Sequence, residues 1–290
     1  MTIHHLIVQA DDIETGDLKT LHALSGAAGI EQINGDFGHQ AFRLLDADIG
    51  SKAQVQAYCE QAQIDLGFVP ADAALENFGL IAMDMDSTLI TIECIDEIAD
   101  FAGRKKEVGE VTAAAMRGEI DWPTSLRQRV SALAGLSENT LEKVYAERLK
   151  LSPGAEQLIV AAKHANIRLL LISGGFTFFT EKLKERLNLD YAFSNSLEIV
   201  DGALTGRVIG LLCDARAKAE HVRNTASLLA LRPGQVMVIG DGANDLAMMA
   251  AAGTSIAYRA KPVVRAQASH AISHVGLDAV LALFPAQSAR

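Results

Sequence analysis

The sequence predicts an α/β protein with three parts: an α+β module at the N-terminus, a Rossmann-like core built on a parallel sheet, and a helical cap inserted after the first core strand. Two observations support this prediction. From about residue 78 onwards, short apolar runs alternate with helical segments, as expected for strands buried on both faces. Before them, strand-like and helix-like segments follow the order βαββαβ, which is that of a ferredoxin-like fold.

Residues 1–70 are expected to form the ferredoxin-like module. An apolar run near the start predicts the first strand, and leucines at helical spacing predict a helix after it. Two strand candidates then flank Asn34-Gly35, which suits a hairpin turn because both residues tolerate positive φ. A helix over about 51–62 and a strand over about 65–69 complete the module, and residues 71–79 are the expected linker.

Residues 80–290 are expected to form the core domain. Its three most apolar runs end immediately before Asp84, Ser173 and Gly240-Asp241. In parallel sheets of this kind, ligands bind beyond the carboxyl ends of the strands. These polar residues are therefore predicted to lie at one site.

A helical cap is expected over about residues 95–150, between the first two core strands. This stretch is too long for a single crossover helix, and its position places it above the strand ends. Ser152-Pro153 then predicts the N-terminus of the helix that precedes the second core strand. Later, Asp201-Gly202 lies between two strand-like runs and predicts a hairpin.

The composition indicates a globular protein, since the 290 residues are 49% hydrophobic and 21% charged. The formal net charge of −10 argues against a nucleic-acid surface, which needs clustered basic side chains. No run reaches the roughly 18 apolar residues of a membrane span, and the N-terminus lacks a signal-peptide pattern. Together with three widely spaced cysteines, these features predict a soluble cytoplasmic protein without nucleic-acid or membrane partners.

Two aspartates, Asp84 and Asp86, offer the groups needed for phosphoryl transfer. Residues two apart on a strand point to the same side, so both carboxylates can address one substrate. An ionised Asp84 could attack phosphorus, while Asp86 could protonate the departing alkoxide and later deprotonate water. That second role requires a raised pKa for Asp86. Two aspartates at this spacing, taken alone, more often mark a polar strand end or a helix cap. The catalytic interpretation therefore needs other residues of the site.

Three other segments supply such residues. Asp241, within Gly240–Asp245, is placed to be a carboxylate ligand of Mg²⁺. Ser173 and Gly174 could cradle phosphate oxygens with a hydroxyl and backbone N–H groups at a helix start, and Lys218 could neutralise phosphate charge. Taken singly, the segment Gly240–Asp245 is also explained as a tight turn and Ser173-Gly174 as a strand-to-helix turn. Lys218 alone is also explained as a solvated lysine.

In this order, the segments resemble the four motifs of the haloacid dehalogenase (HAD) superfamily of phosphohydrolases over residues 80–280, and within it the phosphoserine phosphatase family. The resemblance rests on the strings DMDSTLITIECIDEIA (84–99), SLRQRV (125–130), SGGF (173–176) and GDGAND (240–245). It implies hydrolysis of O-phospho-L-serine through an aspartyl-phosphate on Asp84, the last step of serine biosynthesis.

The same resemblance implies roles for individual residues. Asp84 would be the nucleophile and Asp86 the acid/base. Mg²⁺ would be bound by Asp84, Asp241 and the backbone carbonyl of Asp86, with Asp245 orienting its neighbours. The substrate phosphate would be held by Ser173, Gly174, Lys218 and Asn244.

Substrate choice would depend on two more residues. Glu93 would receive the substrate ammonium, and Arg129 would pair with the substrate carboxylate, which matches the planar fork of a guanidinium. Without the flanking strings, either side chain is more simply a surface charge.

Two alternatives remain open at the level of sequence. A related HAD phosphatase or phosphotransferase acting on another small phosphomonoester would keep Asp84 and Asp86 but would not need Glu93 with Arg129. A ligand-binding regulator is the second alternative, because the N-terminal module resembles regulatory domains of the ACT type and could sense an amino acid. Modules of that type often dimerise, so a homodimer is one expected assembly.

Overall fold

The computed structural model describes residues 2–285, which contain two β-sheets. The first sheet is antiparallel, with the strand order β2-β3-β1-β4. Its elements are β1 (His4–Ala10), α1 (Thr15–Ser25), β2 (Gly29–Gln32), β3 (Gln40–Leu45), α2 (Lys52–Ala62) and β4 (Asp65–Pro70). The predicted order βαββαβ is therefore confirmed.

Alternation along β1 explains how this sheet is covered. Leu6 and Val8 are fully buried in a cluster with residues of α1 and α2. Ile7 points to the opposite face and joins the main hydrophobic cluster of the core domain. Because successive side chains of a strand alternate between faces, the helices cover one face of the sheet and the core domain covers the other.

The predicted turn at Asn34-Gly35 is wrong. β2 and β3 do pair as an antiparallel hairpin, but residues 33–39 all lie between them, and neither Asn34 nor Gly35 has a positive φ. The connection is longer because its second half is anchored outside the sheet. The ring of Phe37 packs against the main hydrophobic cluster, and Gly38 N donates to Asp278 Oδ2 at 3.1 Å.

The second sheet has seven strands in the order β11-β10-β9-β5-β6-β7-β8, all parallel except the terminal β8. The strands are β5 (Leu80–Met83), β6 (Arg168–Phe176), β7 (Tyr191–Val200), β8 (Ala203–Ile209), β9 (Val236–Gly240), β10 (Thr254–Tyr258) and β11 (His270–Ile272). The helices between these strands are α7 (Ala155–His164), α8 (Thr177–Leu187), α9 (Ala215–Leu228), α10 (Leu246–Met249) and α11 (Pro262–Arg265), and α12 (Ala279–Leu283) follows β11. Alternate residues of β5 belong to two different hydrophobic clusters, which confirms a sheet covered on both faces.

Four helices form the cap between β5 and α7. They are α3 (Cys94–Phe101), α4 (Lys105–Met116), α5 (Trp122–Ser131) and α6 (Asn139–Glu147), in agreement with the predicted helical insertion. The two chain segments that join the cap to the core run side by side, with Ile90 and Leu151 paired as an antiparallel bridge. Among residues 2–285, every helix is too short or too polar to cross a lipid bilayer.

Two boundaries differ from the prediction. α7 begins at Ala155 with Gly154 at its N-cap, at φ +76°, so Ser152 is not the cap. Ser173–Gly175 is not at a helix start either, because β6 continues to Phe176 with an irregular register. In both places, residues that favour the start of a helix lie instead in the chain segment before the helix.

Polar contacts fasten the N-terminal sheet to the core domain. The buried carboxylate of Asp65 accepts hydrogen bonds from the backbone N–H groups of residues 273–275, at 2.7, 2.8 and 3.1 Å. His39 Nδ1 lies 3.6 Å from Asp278 Oδ2, and both side chains are buried. Asp278, in the loop that leads into α12, therefore receives contacts from the connection between β2 and β3.

Candidate active site

The site is built at the end of β5, where Asp84 follows four buried residues. β5 lies between β6 and β9 in the middle of the parallel sheet, so Asp84 is at the centre of the carboxyl edge. The side chain is buried, and its Oδ1 accepts a hydrogen bond from Met85 N at 2.8 Å. This contact turns the chain away from the sheet and fixes the carboxylate at the strand end.

Asp86 lies two residues further and is held by both neighbouring segments. Its Oδ1 accepts from Cys94 N at 2.9 Å, at the start of the cap, and its Oδ2 accepts from Ser173 Oγ at 3.2 Å. Burial raises the pKa of Asp86, and the hydrogen bonds from Cys94 and Ser173 offset this only in part. The direction is the one expected of a residue that donates a proton near neutral pH.

Lys218 supplies a buried positive charge beneath Asp84. Its Nζ donates to Asp84 Oδ1 at 2.7 Å and to Asp245 Oδ1 at 2.8 Å, and the side chain is 1% exposed. Burial alone would lower the pKa of Lys218, but the two carboxylates outweigh it and raise that pKa. Lys218 is consequently a permanent cation at the floor of the site.

Asp241 and Asp245 come from the turn that follows β9. Asp245 Oδ2 accepts from the backbone N–H groups of Asp241 and Gly242 at 3.2 and 3.0 Å, so this fully buried side chain shapes the turn. Asp241 Oδ1 accepts from Thr88 Oγ1 at 3.3 Å. Burial, together with the charge of Asp245, raises the pKa of Asp241 to about 6.

These carboxylates fit a hard metal ion. One oxygen from each of Asp84, Asp241 and Asp245 lies within 4.8 Å of the others. Burial, with the charge of Asp245, raises the pKa of Asp84, and Lys218 sets one positive charge against these three carboxylates. A further cation bound by carboxylate oxygens would restore the balance, and oxygen ligands are those that Mg²⁺ prefers.

A cavity of about 790 Å³ opens above these groups, between the carboxyl edge of the sheet and the cap. Asp84 and Asp86 lie on its core side. The cap contributes mainly apolar side chains, among them Ile95, Met116, Trp122 and Leu126. The predicted residues that line the cavity are Asp84, Asp86, Glu93, Arg129, Gly174, Asp241 and Asn244.

Glu93 and Arg129 are the charged residues predicted to select the substrate, and both line this cavity. Glu93 Oε1 accepts from Ser87 Oγ at 2.8 Å, and desolvation in the cleft, with the charge of Asp86, raises its pKa to about 7. Arg129 Nε is shielded from solvent and has no hydrogen-bond partner among residues 2–285. Burial lowers the pKa of Arg129, opposed by Asp96 and Glu93.

Two residues at the site were not predicted from the sequence to have a role in catalysis. Trp122 in the cap reaches the segment Ser173–Gly175, because its Cζ2 lies 2.9 Å from where a β-carbon on Gly174 would be. Asn195 on β7 is buried and hydrogen-bonds the backbone of the same segment. The available signal for Asn195 in the sequence was a polar residue inside an otherwise strand-like segment.

Comparison with known proteins agrees with this geometry. Residues 81–250 match the model of the haloacid dehalogenase-like hydrolase family. The chain belongs to this family. A phosphoserine phosphatase of Polaromonas sp. is 54% identical over 217 residues, which cover 73% of this chain and 92% of the relative. Residues 6–55 match a domain of unknown function.

Solved structures of this HAD family extend the likeness to both sheets. A HAD family hydrolase from Salmonella enterica serovar Typhi superposes with a TM-score of 0.88 at 32% identity, covering 98% of this chain and 99% of its own. A phosphoserine phosphatase solved as an analogue of its phospho-aspartyl intermediate has a TM-score of 0.67 at 39% identity, covering 71% of this chain and 99% of its own. The N-terminal sheet is thus shared with the first structure.

Proposed function

We propose that this HAD-family chain is a Mg²⁺-dependent phosphatase that hydrolyses O-phospho-L-serine to L-serine and phosphate. The observation that carries the choice of substrate is the partly buried Arg129, whose Nε is shielded from solvent and has no hydrogen-bond partner among residues 2–285. An unpaired buried donor is costly, and a substrate carboxylate would satisfy it. Glu93 in the same cavity offers a carboxylate for the substrate ammonium.

The reaction is proposed to proceed in two displacements on Asp84. The carboxylate of Asp84 attacks phosphorus, the P–O bond to serine breaks, and Asp86 gives its proton to the departing serine oxygen. Asp86 then removes a proton from water as the water attacks the aspartyl-phosphate, which releases phosphate and restores the carboxylate of Asp84. The raised pKa of Asp86 supports its alternation between acid and base.

The remaining groups are proposed to bind the phosphoryl oxygens and the metal. Asp84, Asp241 and the backbone carbonyl of Asp86 would hold Mg²⁺, which when bound neutralises charge on the transferring phosphoryl group. The phosphate would contact Ser173, Gly174, Lys218 and Asn244. Asp245 would keep Lys218 and the Asp241 turn in position, in accordance with its four hydrogen bonds.

The experiment that tests this function compares three esters with and without Mg²⁺. O-phospho-L-serine carries both recognised groups, phosphoethanolamine lacks the carboxylate, and 3-phosphoglycerate has a hydroxyl in place of the ammonium. We expect the highest kcat/KM for O-phospho-L-serine and loss of turnover without the metal. If all three esters are cleaved equally, the chain is a HAD phosphatase of another substrate range.

A matched pair of variants tests the role of Arg129. Removing one partner of a desolvated charge pair typically costs about 2–5 kcal/mol, so Arg129→Ala should lower kcat/KM for O-phospho-L-serine by roughly 30-fold or more. Phosphoethanolamine should be nearly unaffected. Arg127 lies on the same helix but is exposed, so Arg127→Ala is the control and should retain activity on both esters. Equal losses on both esters in Arg129→Ala would remove the assignment.

We also propose the biological setting and the domain division. Hydrolysis of phosphoserine would be the last step of serine biosynthesis, in the cytoplasm. Residues 1–70 would be a regulatory domain, 71–79 a linker and 80–290 the phosphatase domain, and a homodimer would be the assembly. The separate hydrophobic cluster beneath the first sheet supports that division. Sedimentation of the purified protein measures the assembly.

A further inference from the structure

Asn195 joins two segments of the site from a position inside the sheet. Its side chain is buried, with 1% exposed. Its Nδ2 donates to the carbonyl oxygen of Gly174 at 2.8 Å, and its Oδ1 accepts from Cys213 N at 2.8 Å. Gly174 belongs to the phosphate-binding segment, and Cys213 leads into α9, which carries Lys218.

The need for this side chain comes from an irregularity in β6. β6 and β7 pair regularly up to Ile172 opposite Phe193, and the next pair is Phe176 opposite Asn195. Between these two pairs the chain advances four residues along β6 but only two along β7, so Ser173–Gly175 forms a bulge in β6. Backbone groups of this bulge need other partners, and the amide of Asn195 supplies one of them.

The contacts continue from Asn195 to the acid/base candidate. The peptide between Gly174 and Gly175 is held at both ends, because its carbonyl accepts from Asn195 and its N–H donates to Ser173 Oγ at 2.8 Å. Ser173 Oγ in turn donates to Asp86 Oδ2 at 3.2 Å. One chain of hydrogen bonds therefore runs from the start of α9 to Asp86.

We propose that Asn195 is a positioning residue for the phosphatase reaction, which sets the phosphate-binding bulge relative to Asp86 and α9. The proposal rests on the proposed function. Only a side chain with a donor and an acceptor on the same group fits both contacts, since one partner is a carbonyl and the other is an N–H. Asn195 touches neither substrate nor metal in this role and acts through the backbone that does.

The test uses Asn195→Asp and Asn195→Ser in the full chain. Aspartate keeps the acceptor for Cys213 but sets an oxygen against the Gly174 carbonyl, and serine is too short to reach both partners. Since a misplacement of about 1 Å can cost about 100-fold in rate, we expect kcat per folded molecule to fall by roughly that factor. KM for the ester should change less. Asn224→Asp, an exposed change on α9, is the charge-matched control and should retain the wild-type kcat.

The outcomes separate this proposal from the proposed function. If the wild-type chain hydrolyses none of the esters, the function fails. If it is active and both Asn195 variants keep kcat within about threefold, or lose activity only in proportion to the unfolded fraction seen by circular dichroism, the positioning role is overturned. Should both variants fail to fold, amide hydrogen exchange of the wild type decides. Slow exchange at Gly175 and Cys213 supports the proposal, and exchange as fast as in exposed loops overturns it.

Discussion

At the scale of single residues, the floor of the cavity carries more negative than positive charge. Three carboxylates from Asp84, Asp241 and Asp245 lie together, and Lys218 is the ammonium that contacts two of them. Lys218 can neutralise only part of this charge, and burial, together with the charge of Asp245, raises the pKa values of Asp84 and Asp241. The site is therefore arranged to gain from binding a cation.

Asp84→Asn tests the nucleophile directly. The amide is nearly isosteric with the carboxylate but cannot attack phosphorus, so we expect turnover to fall by at least about 10³-fold and no acyl-phosphate to accumulate. Phosphate release and acid-quenched labelling of the protein measure these two quantities. Asp72→Asn, at an exposed position of the linker, should behave as the wild type. Substantial Mg²⁺-dependent turnover in Asp84→Asn would disprove the assignment.

The site residues differ in how far the sequence could predict them. Asp84, Asp86 and Asp241 stand at strand ends within distinctive strings, so their proximity followed from the expected sheet. Lys218 and Asp245 were predicted as helpers, but their direct ion pair depends on how α9 packs. Asn195 lies in no such string, because its partners are backbone groups exposed by a bulge that no local pattern predicts.

At the scale of elements, the joint between the cap and the core depends on close backbone packing. Thr91 N donates to Lys150 O at 3.0 Å and Ser152 N donates to Leu89 O at 2.9 Å, which ties the two connecting segments together. Leu277 N donates to Pro153 O at 2.7 Å. The segment that returns from the cap is consequently fixed on one side to the loop that follows Asp84 and on the other to the loop before α12.

Gly154→Ala should destabilise this joint. A β-carbon on Gly154 would overlap the backbone nitrogen and the carboxylate of Asp278, and the position has φ +76°. Left-handed strain costs roughly 1 kcal/mol and overpacking about 1–3 kcal/mol more, so we expect the free energy of unfolding to fall by about 3 kcal/mol. Gly103 has φ +68° but no atom within 4 Å, so Gly103→Ala isolates the strain. Urea unfolding that gives equal losses for both variants would contradict the overlap.

Element boundaries were the least predictable feature because they depend on distant contacts. The Asn34-Gly35 turn satisfied every local rule for a tight hairpin. The chain instead extends to residue 39, since Phe37 and His39 make contacts with the core domain. Ser152-Pro153 likewise satisfied the local rules for a helix start. Gly154 is the N-cap instead, because the neighbouring Asp278 leaves no room for a side chain at that position.

At the scale of the whole molecule, the N-terminal sheet is part of a larger packed unit. One face is covered by its own helices and the other by the core domain, and the buried Asp65 fixes the loop at residues 273–275. The order of strands and helices in each unit was predicted correctly from the sequence. The contact between the units could not be predicted, because alternation in a strand shows that a second face is apolar but does not identify what covers it.

The junction between the two units should weaken in acid through His270. Its ring contacts Phe284 and lies beside Gly67 of β4, and burial, together with the charge of Lys52, lowers its pKa to about 4. The unfolded chain, with a pKa near 6.5, takes up this proton first, so the stabilisation is complete above pH 6.5 and decreases as the pH falls towards 4. From pH 7 to pH 5 this contribution should decrease by about 2 kcal/mol.

Urea unfolding of wild type and His270→Asn over this pH range measures the difference. The wild type should lose its advantage over the variant as the pH falls, whereas the exposed His164→Asn should follow the wild type at every pH. A wild-type advantage that stays constant from pH 7 to pH 5 would show that His270 is not held neutral in the folded protein.

The paired segments at Ile90 and Leu151 bear on how such a molecule could have evolved. The chain enters the cap and returns from it at adjoining positions. The ends of the four-helix insertion are therefore as close together as the ends of a short loop. Insertions are tolerated where chain ends lie close together. An ancestral core could therefore have gained or exchanged this insertion without moving the two chain segments that meet at Ile90 and Leu151. Recombination at these two points would replace the cap side of the cavity above Asp84, and a replacement would have to supply a donor for Asp86 in place of Cys94 N.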